Sequence, residues 1–284
     1  MRFLFVFCLL GCSDYRIHKS VSSSPLTEPA AAVDTGVMAA DTGGTFQEDS
    51  TVEAPSVDEP PAQDTPNNEP PENSPDEKVY LHTGTELYSW DPDTGTLQII
   101  GAFYRSDDGD VEAITDIAID GSGLFYGVSY NTLYRIDGHT AEVWPISPID
   151  FPLFGLTCTY EGRLIGGGDG LFEIDTETGA ITTLVPAGTY ETSGDLVGLP
   201  DGLLYWAVRD GDDLVVVDPS SGVTIARGEI GVEAIYGLGY ADGSLYGFTE
   251  AGVVIEINPS NGQVVSSTSL PGTWWGATTN PSVW

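Results

Sequence analysis

The chain has 284 residues, of which 43 are acidic and only nine are lysine or arginine, so its formal net charge at pH 7 is −34. From Lys78 onward there are 29 acidic residues against six basic ones, which leaves that region at about −23. A surface this acidic repels phosphate backbones, so we expect no nucleic-acid partner, while cations and basic partners remain open.

Residues 1–11 have the pattern of a secretion signal, because Met1-Arg2 precedes an apolar run too short to span a bilayer. The run ends in Leu9-Leu10-Gly11-Cys12, which resembles the lipobox of bacterial lipoproteins. The resemblance implies a signal peptide over 1–11 and acylation of Cys12, with palmitate as one such chain. The protein would then sit in the bacterial cell envelope, at the outer membrane or cell surface rather than the inner membrane, and would meet the membrane through the lipid alone. The alternative is an uncleaved hydrophobic start or a misplaced initiator Met.

Residues 12–77 have the composition of a disordered linker. Residues 13–77 hold nine of the 19 prolines, only two aromatic residues (Tyr15 and Phe46), and a dense mixture of acidic residues, serine and threonine. Such a segment cannot bury enough apolar surface to offset the loss of chain entropy on folding. We therefore expect a flexible acidic tether between the anchor and a folded domain at 78–284.

A unit of about forty residues recurs through residues 78–284. Its third strand ends in an aspartate or asparagine at Asp91, Asp137, Asp175, Asp218 and Asn258, and a turn that ends in glycine follows in all but the second unit. The inner strands align at Asp116, Gly155, Asp195, Gly237 and Gly276. The first unit lacks an inner strand and the C-terminus has a spare one, so the pattern predicts an all-β, five-bladed β-propeller closed by its two chain ends. This pattern resembles the broad class of bacterial propellers related to the YVTN and NHL repeats, a resemblance that implies the fold and leaves the function open.

One face of such a propeller collects the starts of the inner strands and the loops between second and third strands. This rule predicts a binding face that contains Asp116, Asp195, Glu112, Glu233, Trp274, Trp275 and His82. Asp116 and Asp195 share one inner-strand position in different blades, which suits a general acid and base or two metal ligands. The alternative is that each carboxylate accepts backbone N–H groups and holds adjacent blades together. One of the two tryptophans should pack inside the closing blade.

The densest acidic run predicts a possible calcium site and no other cofactor. Asp107, Asp108, Asp110 and Glu112 lie on a glycine-containing loop, and carboxylates are hard oxygen ligands of the kind that Ca²⁺ takes. Acidic residues beside glycine are also ordinary turn formers, so a solvated loop is the alternative.

Taken together, these features favour a membrane-tethered binding or scaffold module for a protein or glycan of the cell envelope, of undetermined oligomeric state. The alternative is an enzyme, either a metal-dependent hydrolase of the lactonase type or a propeller of the glutaminyl-cyclase type. No complete set of catalytic residues is present for either, so the sequence names no catalytic residue.

Overall fold

The computed structural model describes residues 78–209 and 213–283. The predicted signal, Cys12 and the linker lie outside the described residues. Within them there are twenty strands and one 3₁₀ turn, Pro281–Val283, and no helix there is long and apolar enough to cross a bilayer. The strands are, in chain order, β1 (Val79–His82), β2 (Glu86–Asp91), β3 (Thr96–Ala102), β4 (Asp116–Ile119), β5 (Phe125–Val128), β6 (Thr132–Ile136), β7 (Val143–Pro148), β8 (Gly155–Cys158), β9 (Leu164–Gly168), β10 (Gly170–Ile174), β11 (Ile181–Val185), β12 (Thr192–Gly198), β13 (Leu204–Val208), β14 (Asp213–Val217), β15 (Thr224–Glu229), β16 (Ile235–Ala241), β17 (Ser244–Thr249), β18 (Val253–Ile257), β19 (Val264–Ser269) and β20 (Gly276–Thr279).

The strands form five antiparallel sheets of four, which are the blades of a β-propeller. Blade 1 has the order β20-β1-β2-β3, and blades 2 to 5 are β4–β7, β8–β11, β12–β15 and β16–β19. The inner strands β20, β4, β8, β12 and β16 contact one another in sequence, and β16 returns to β20. The prediction of five blades is confirmed.

The two ends of the domain close the ring within blade 1. β20 pairs with β1 in antiparallel register, with Gly276 opposite His82 and Thr279 opposite Val79. This pairing gives the first unit its missing inner strand and removes two open strand edges, as the phase of the repeats predicts.

The turns that follow the third strands are stabilised by hydrogen bonds from backbone N–H groups to the side chain that ends the strand. The Asp91 carboxylate, for example, accepts the backbone N–H of Thr94 at 3.0 Å. The glycine that ends this turn, Gly95, has φ 68°, a region that favours glycine. In the exceptional turn of blade 2, Ala141 takes the same place at φ 61°, so the backbone keeps its shape without glycine.

The hydrophobic core lies between the blades. In one cluster Tyr205 and Leu214 of blade 4 pack with Leu238 and Ile255 of blade 5, and all four are buried. Cys158 is buried in blade 3, and burial raises the pKa of its thiol. Adjacent blades therefore share apolar surface around the ring, which fixes the inner strands at the centre.

Every inner strand starts at the same face of the ring, which we call the upper face. The upper face also carries the connections from each fourth strand to the next inner strand and the loops β1–β2, β5–β6, β9–β10 and β17–β18. The lower face carries the first-to-second-strand and third-to-fourth-strand turns. The starts of the inner strands and the loops between second and third strands thus lie on one face, as the sequence predicts, because successive strands of a blade run in opposite directions.

Candidate functional site at the upper face

Two carboxyl groups fill the centre of the ring of inner strands. Asp116 and Asp195 are fully buried. The same position in the other three inner strands is glycine, where the backbones lie close to the axis. At Gly276 a Cβ would overlap the Asp116 carboxylate and the His82 ring, and at Gly237 it would lie 2.9 Å from the Cβ of Ala277. The centre therefore has room for two carboxyl side chains and for little else.

The two carboxyl groups together accept one backbone N–H from every blade. In each inner strand the donor is the residue after the aligned position. Asp116 accepts from Ile117 at 2.8 Å and from Leu156 at 2.5 Å. Asp195 accepts from Leu196 at 2.6 Å, from Leu238 at 2.5 Å and from Ala277 at 3.4 Å. The carboxyl groups thus link all five blades at the axis.

The pair titrates as a unit, because the two carboxyl groups are buried together and hydrogen-bonded to each other. Burial raises the pKa of Asp116 well above its usual value, and the charge of Asp195 adds to the effect. Burial also raises the pKa of Asp195, while its bonds to Asp116 and to three backbone N–H groups act against the increase. Burial of both side chains therefore favours their protonated, uncharged forms over the ionised ones.

His82 completes this buried centre. Its Nδ1 donates to the carbonyl of Thr83 at 2.8 Å, and its Nε2 lies 3.4 Å from Asp116 Oδ1. Burial lowers the pKa of His82 to about 4, so the ring is neutral at pH 7. Because Nδ1 holds the hydrogen of the neutral ring, Nε2 presents a lone pair to Asp116.

A cavity of about 270 Å³ opens on the upper face at the mouth of the ring. Every blade contributes to the cavity wall the residue that comes immediately before the aligned Asp or Gly of its inner strand. These residues are Thr115, Phe154, Gly194, Tyr236 and Trp275. Glycine is required at position 194, because a Cβ at Gly194 would lie 2.5 Å from the Cα of Tyr236. The cavity therefore lies next to the acid pair along the axis of the ring, on the side of the upper face.

The rest of the wall mixes an aromatic ring with charged and polar side chains. Tyr130, Ser193, Arg209 and Glu250 line the cavity as well. The rings of Tyr130 and Phe154 pack edge to face with centroids 6.1 Å apart, yet remain 48% and 40% exposed. Exposed aromatic rings gathered at a concave site are typical of ligand-binding surfaces.

The predicted site residues divide between the cavity, the buried centre and the rim. Trp275 lines the cavity. Trp274 is buried in the closing blade and donates its indole N–H to the carbonyl of Leu270 at 3.0 Å. Asp116, Asp195 and His82 are wholly buried, so they do not belong to the exposed surface of the upper face. Their polar atoms form hydrogen bonds inside the propeller. Glu112 and Glu233 are exposed on upper-face connections outside the cavity wall, and Glu112 accepts the hydroxyl of Ser129 at 2.5 Å.

The predicted calcium loop lies on the β3–β4 connection at the upper face. Arg105 binds the carboxylate of Asp107 with Nε at 2.9 Å and Nη2 at 2.6 Å. Asp108 and Asp110 are exposed. Among residues 78–209 and 213–283 no three histidine, cysteine, aspartate or glutamate side chains are grouped closely enough to hold a metal ion. Calcium binding by this loop stays a prediction.

Sequence reasoning missed most of the cavity wall. Thr115, Phe154, Gly194 and Tyr236 were not predicted, although each immediately precedes an aligned inner-strand position. The alignment of the repeats could have predicted these residues, because five equivalent positions in a closed ring must surround one axis. Arg209 and Glu250 lie at the ends of second-to-third-strand loops and carry no comparable sequence signal.

No family model and no curated protein matches the sequence. Among solved structures, the chain is similar to U3-55K at 12% identity and a TM-score of 0.44, over 70% of this chain and 65% of that one. It is similar to a chain of a nidogen/laminin complex at 12% identity and a TM-score of 0.49, over 72% and 98%. It is also similar to streptogramin B lyase at 14% identity and a TM-score of 0.44, over 70% and 67%. The chain spans less than two thirds of U3-55K, and at these identities no activity or partner is carried over to it.

Proposed function

We propose that this protein is a membrane-tethered binding module of the bacterial cell envelope, which captures a partner at the upper-face cavity of its propeller. The observation that carries the proposal is the cavity itself. Residues from all five blades meet there, each just before the aligned position of an inner strand, and two of its aromatic rings are strongly exposed. Such a concave, largely aromatic surface on a rigid ring suits recognition.

The arrangement of the acids supports binding over catalysis. A general acid or base must reach the proton that it transfers. Asp116 and Asp195 are fully buried, and each already accepts backbone N–H groups. Their work in the folded protein is to join the blades, which leaves the recognition surface to the residues above them.

The tether belongs to the same proposal. Acylation at Cys12 would hold the chain at a membrane, and residues 13–77 would let the domain search the space around the anchor. The partner would be a protein or glycan of the envelope.

Site-specific photo-crosslinking in the cells that produce the protein tests this function. A photoreactive phenylalanine analogue would replace Tyr130 at the cavity or Tyr160, which is 67% exposed on the lower face. Crosslinked species at Tyr130 and not at Tyr160 would support the proposal. Equal crosslinking at both positions, or none at Tyr130, would contradict it.

A further inference from the structure

The upper-face cavity has the composition of a cation-binding site. Four aromatic rings line it, those of Tyr130, Phe154, Tyr236 and Trp275. The negatively charged face of an aromatic ring attracts an ammonium or guanidinium group, most strongly for tryptophan, and the attraction increases when the cation is desolvated. A cavity of about 270 Å³ accepts one such side chain and leaves the rest of the partner outside.

Two polar groups of the wall, those of Glu250 and Thr115, are acceptors for a ligand. Glu250 offers a carboxylate. The hydroxyl hydrogen of Thr115 is already shared between the carbonyls of Val128 at 3.0 Å and Leu153 at 2.9 Å, so its oxygen can only accept from a ligand. An ammonium group brings donors and no acceptor, so it can bond to both of these groups.

The single basic residue of the wall does not reverse this balance. The guanidinium of Arg209 is bound to the carboxylate of Glu191 at 2.7 Å. Arg209, its partner Glu191 and Glu250 together carry a net negative charge. Burial raises the pKa of Tyr236, the charge of Glu250 adds to the increase and the charge of Arg209 acts against it, so both charged groups act on this ring of the wall.

The surroundings of the cavity attract cations over a longer distance. The described upper-face connections have two basic residues, Arg105 and Arg209, and each is paired with an acid. The acidic residues on the same connections and loops are Asp107, Asp108, Asp110, Glu112, Asp150, Asp169, Glu191, Glu233 and Glu250. This field would steer a basic partner to the face, and the aromatic cavity would then hold one of its side chains.

We infer that the cavity binds a lysine or arginine side chain of a basic partner protein, held between aromatic rings and next to Glu250. This inference rests on the proposed function and adds the chemistry of the ligand to it. Charge complementarity decides between the protein and glycan partners, because a neutral glycan gains nothing from the acidic face.

The test uses residues 13–284, the whole chain past the predicted anchor, and a fluorescent octapeptide of alternating glycine and lysine. Binding is followed by fluorescence anisotropy at low and at physiological salt. The matched probe has N-acetyl-lysine in place of lysine, and a fluorescent neutral oligosaccharide is the third probe. We expect the lysine peptide to bind and the acetylated peptide to bind roughly tenfold more weakly or not at all.

Matched variants separate the cavity from the general charge of the protein. Glu250→Gln and Glu177→Gln change the net charge equally, but Glu177 lies in a lower-face turn. Phe154→Ala and Tyr160→Ala each remove one exposed ring, and only Phe154 lines the cavity. We expect the two cavity variants to weaken binding roughly three- to tenfold and the two lower-face variants to change it less than about twofold.

Three results would overturn the inference. Equal binding of the acetylated peptide would remove the role of charge. Equal effects of Glu250→Gln and Glu177→Gln would leave only unspecific attraction to an acidic surface. Binding of the neutral oligosaccharide that depends on Phe154, without binding of the lysine peptide, would identify a glycan site. In that last case the cavity would keep its proposed binding function, whereas a failure of the face-specific crosslinking would remove the function itself.

Discussion

Asp116 and Asp195 lie on inner strands of different blades and together accept a backbone N–H from the inner strand of every blade. Each backbone donor would otherwise face a buried centre without a partner, at a cost of about 1–3 kcal/mol. Two acidic side chains at equivalent positions of the repeat therefore join all five blades at the axis. The glycines at the other three positions leave the space that the two carboxyl groups occupy.

Replacing the two acids by asparagine should destabilise the domain unequally. Asp195 accepts three N–H groups, and we expect Asp195→Asn to cost about 3–5 kcal/mol. Asp116 accepts two, and we expect Asp116→Asn to cost about 1–3 kcal/mol. Urea unfolding at pH 7 measures both free energies. The double variant should cost less than the sum, because the two groups form one network. Additive effects would contradict a shared network, and equal effects would contradict the larger share of N–H groups that Asp195 accepts.

His82 should make the stability of the domain depend on pH in the acidic range. Its folded pKa of about 4 lies below the usual value of 6.5, so its contribution is complete above pH 6.5 and is lost as the pH falls toward 4. The shift corresponds to about 3 kcal/mol for this fully buried ring. The acid pair acts in the opposite sense, since its raised pKa values favour folding most below about pH 4 and less as the pH rises through them.

The variant His82→Asn separates the two contributions. Urea unfolding of the wild-type protein and this variant at several pH values between 4 and 7 gives the difference in their unfolding free energies. We expect that difference to shrink by about 3 kcal/mol from pH 7 to pH 4. A difference that stays constant over this range would show that His82 titrates as it does in water.

Cys12→Ser should release the protein from the membrane. If Cys12 carries the lipid, radiolabelled palmitate should enter the wild-type protein and be absent from the variant, and the variant should leave the membrane fraction or accumulate as precursor. Cys158→Ser is the matched control, because the Cys158 thiol is buried in the folded domain and should not affect labelling. Label retained in Cys12→Ser would refute the anchor.

The strand pattern could be predicted from the sequence because its signals are local. The turn after Asp91 needs a side-chain acceptor and Gly95 at positive φ, and both are visible in the residues themselves. The role of Asp116 could be stated only as alternatives, because its partner Leu156 lies 40 residues away. The position of Trp275 in the cavity wall and the burial of Trp274 likewise depend on how blade 1 closes, which alternation along the strand does not decide.

Gly276→Ala should destabilise the centre without changing any hydrogen-bonding side chain. The new Cβ would overlap the carboxylate of Asp116 and the ring of His82, neither of which can move within the packed axis. We expect a cost of about 1–3 kcal/mol, which lowers the midpoint of thermal unfolding by several degrees for a domain of this size. Gly121→Ala is the control, since its Cβ would meet only the carbonyl of Tyr160 at 3.8 Å. If both variants unfold at the wild-type temperature, the axis must be looser than the contacts of Gly276 require.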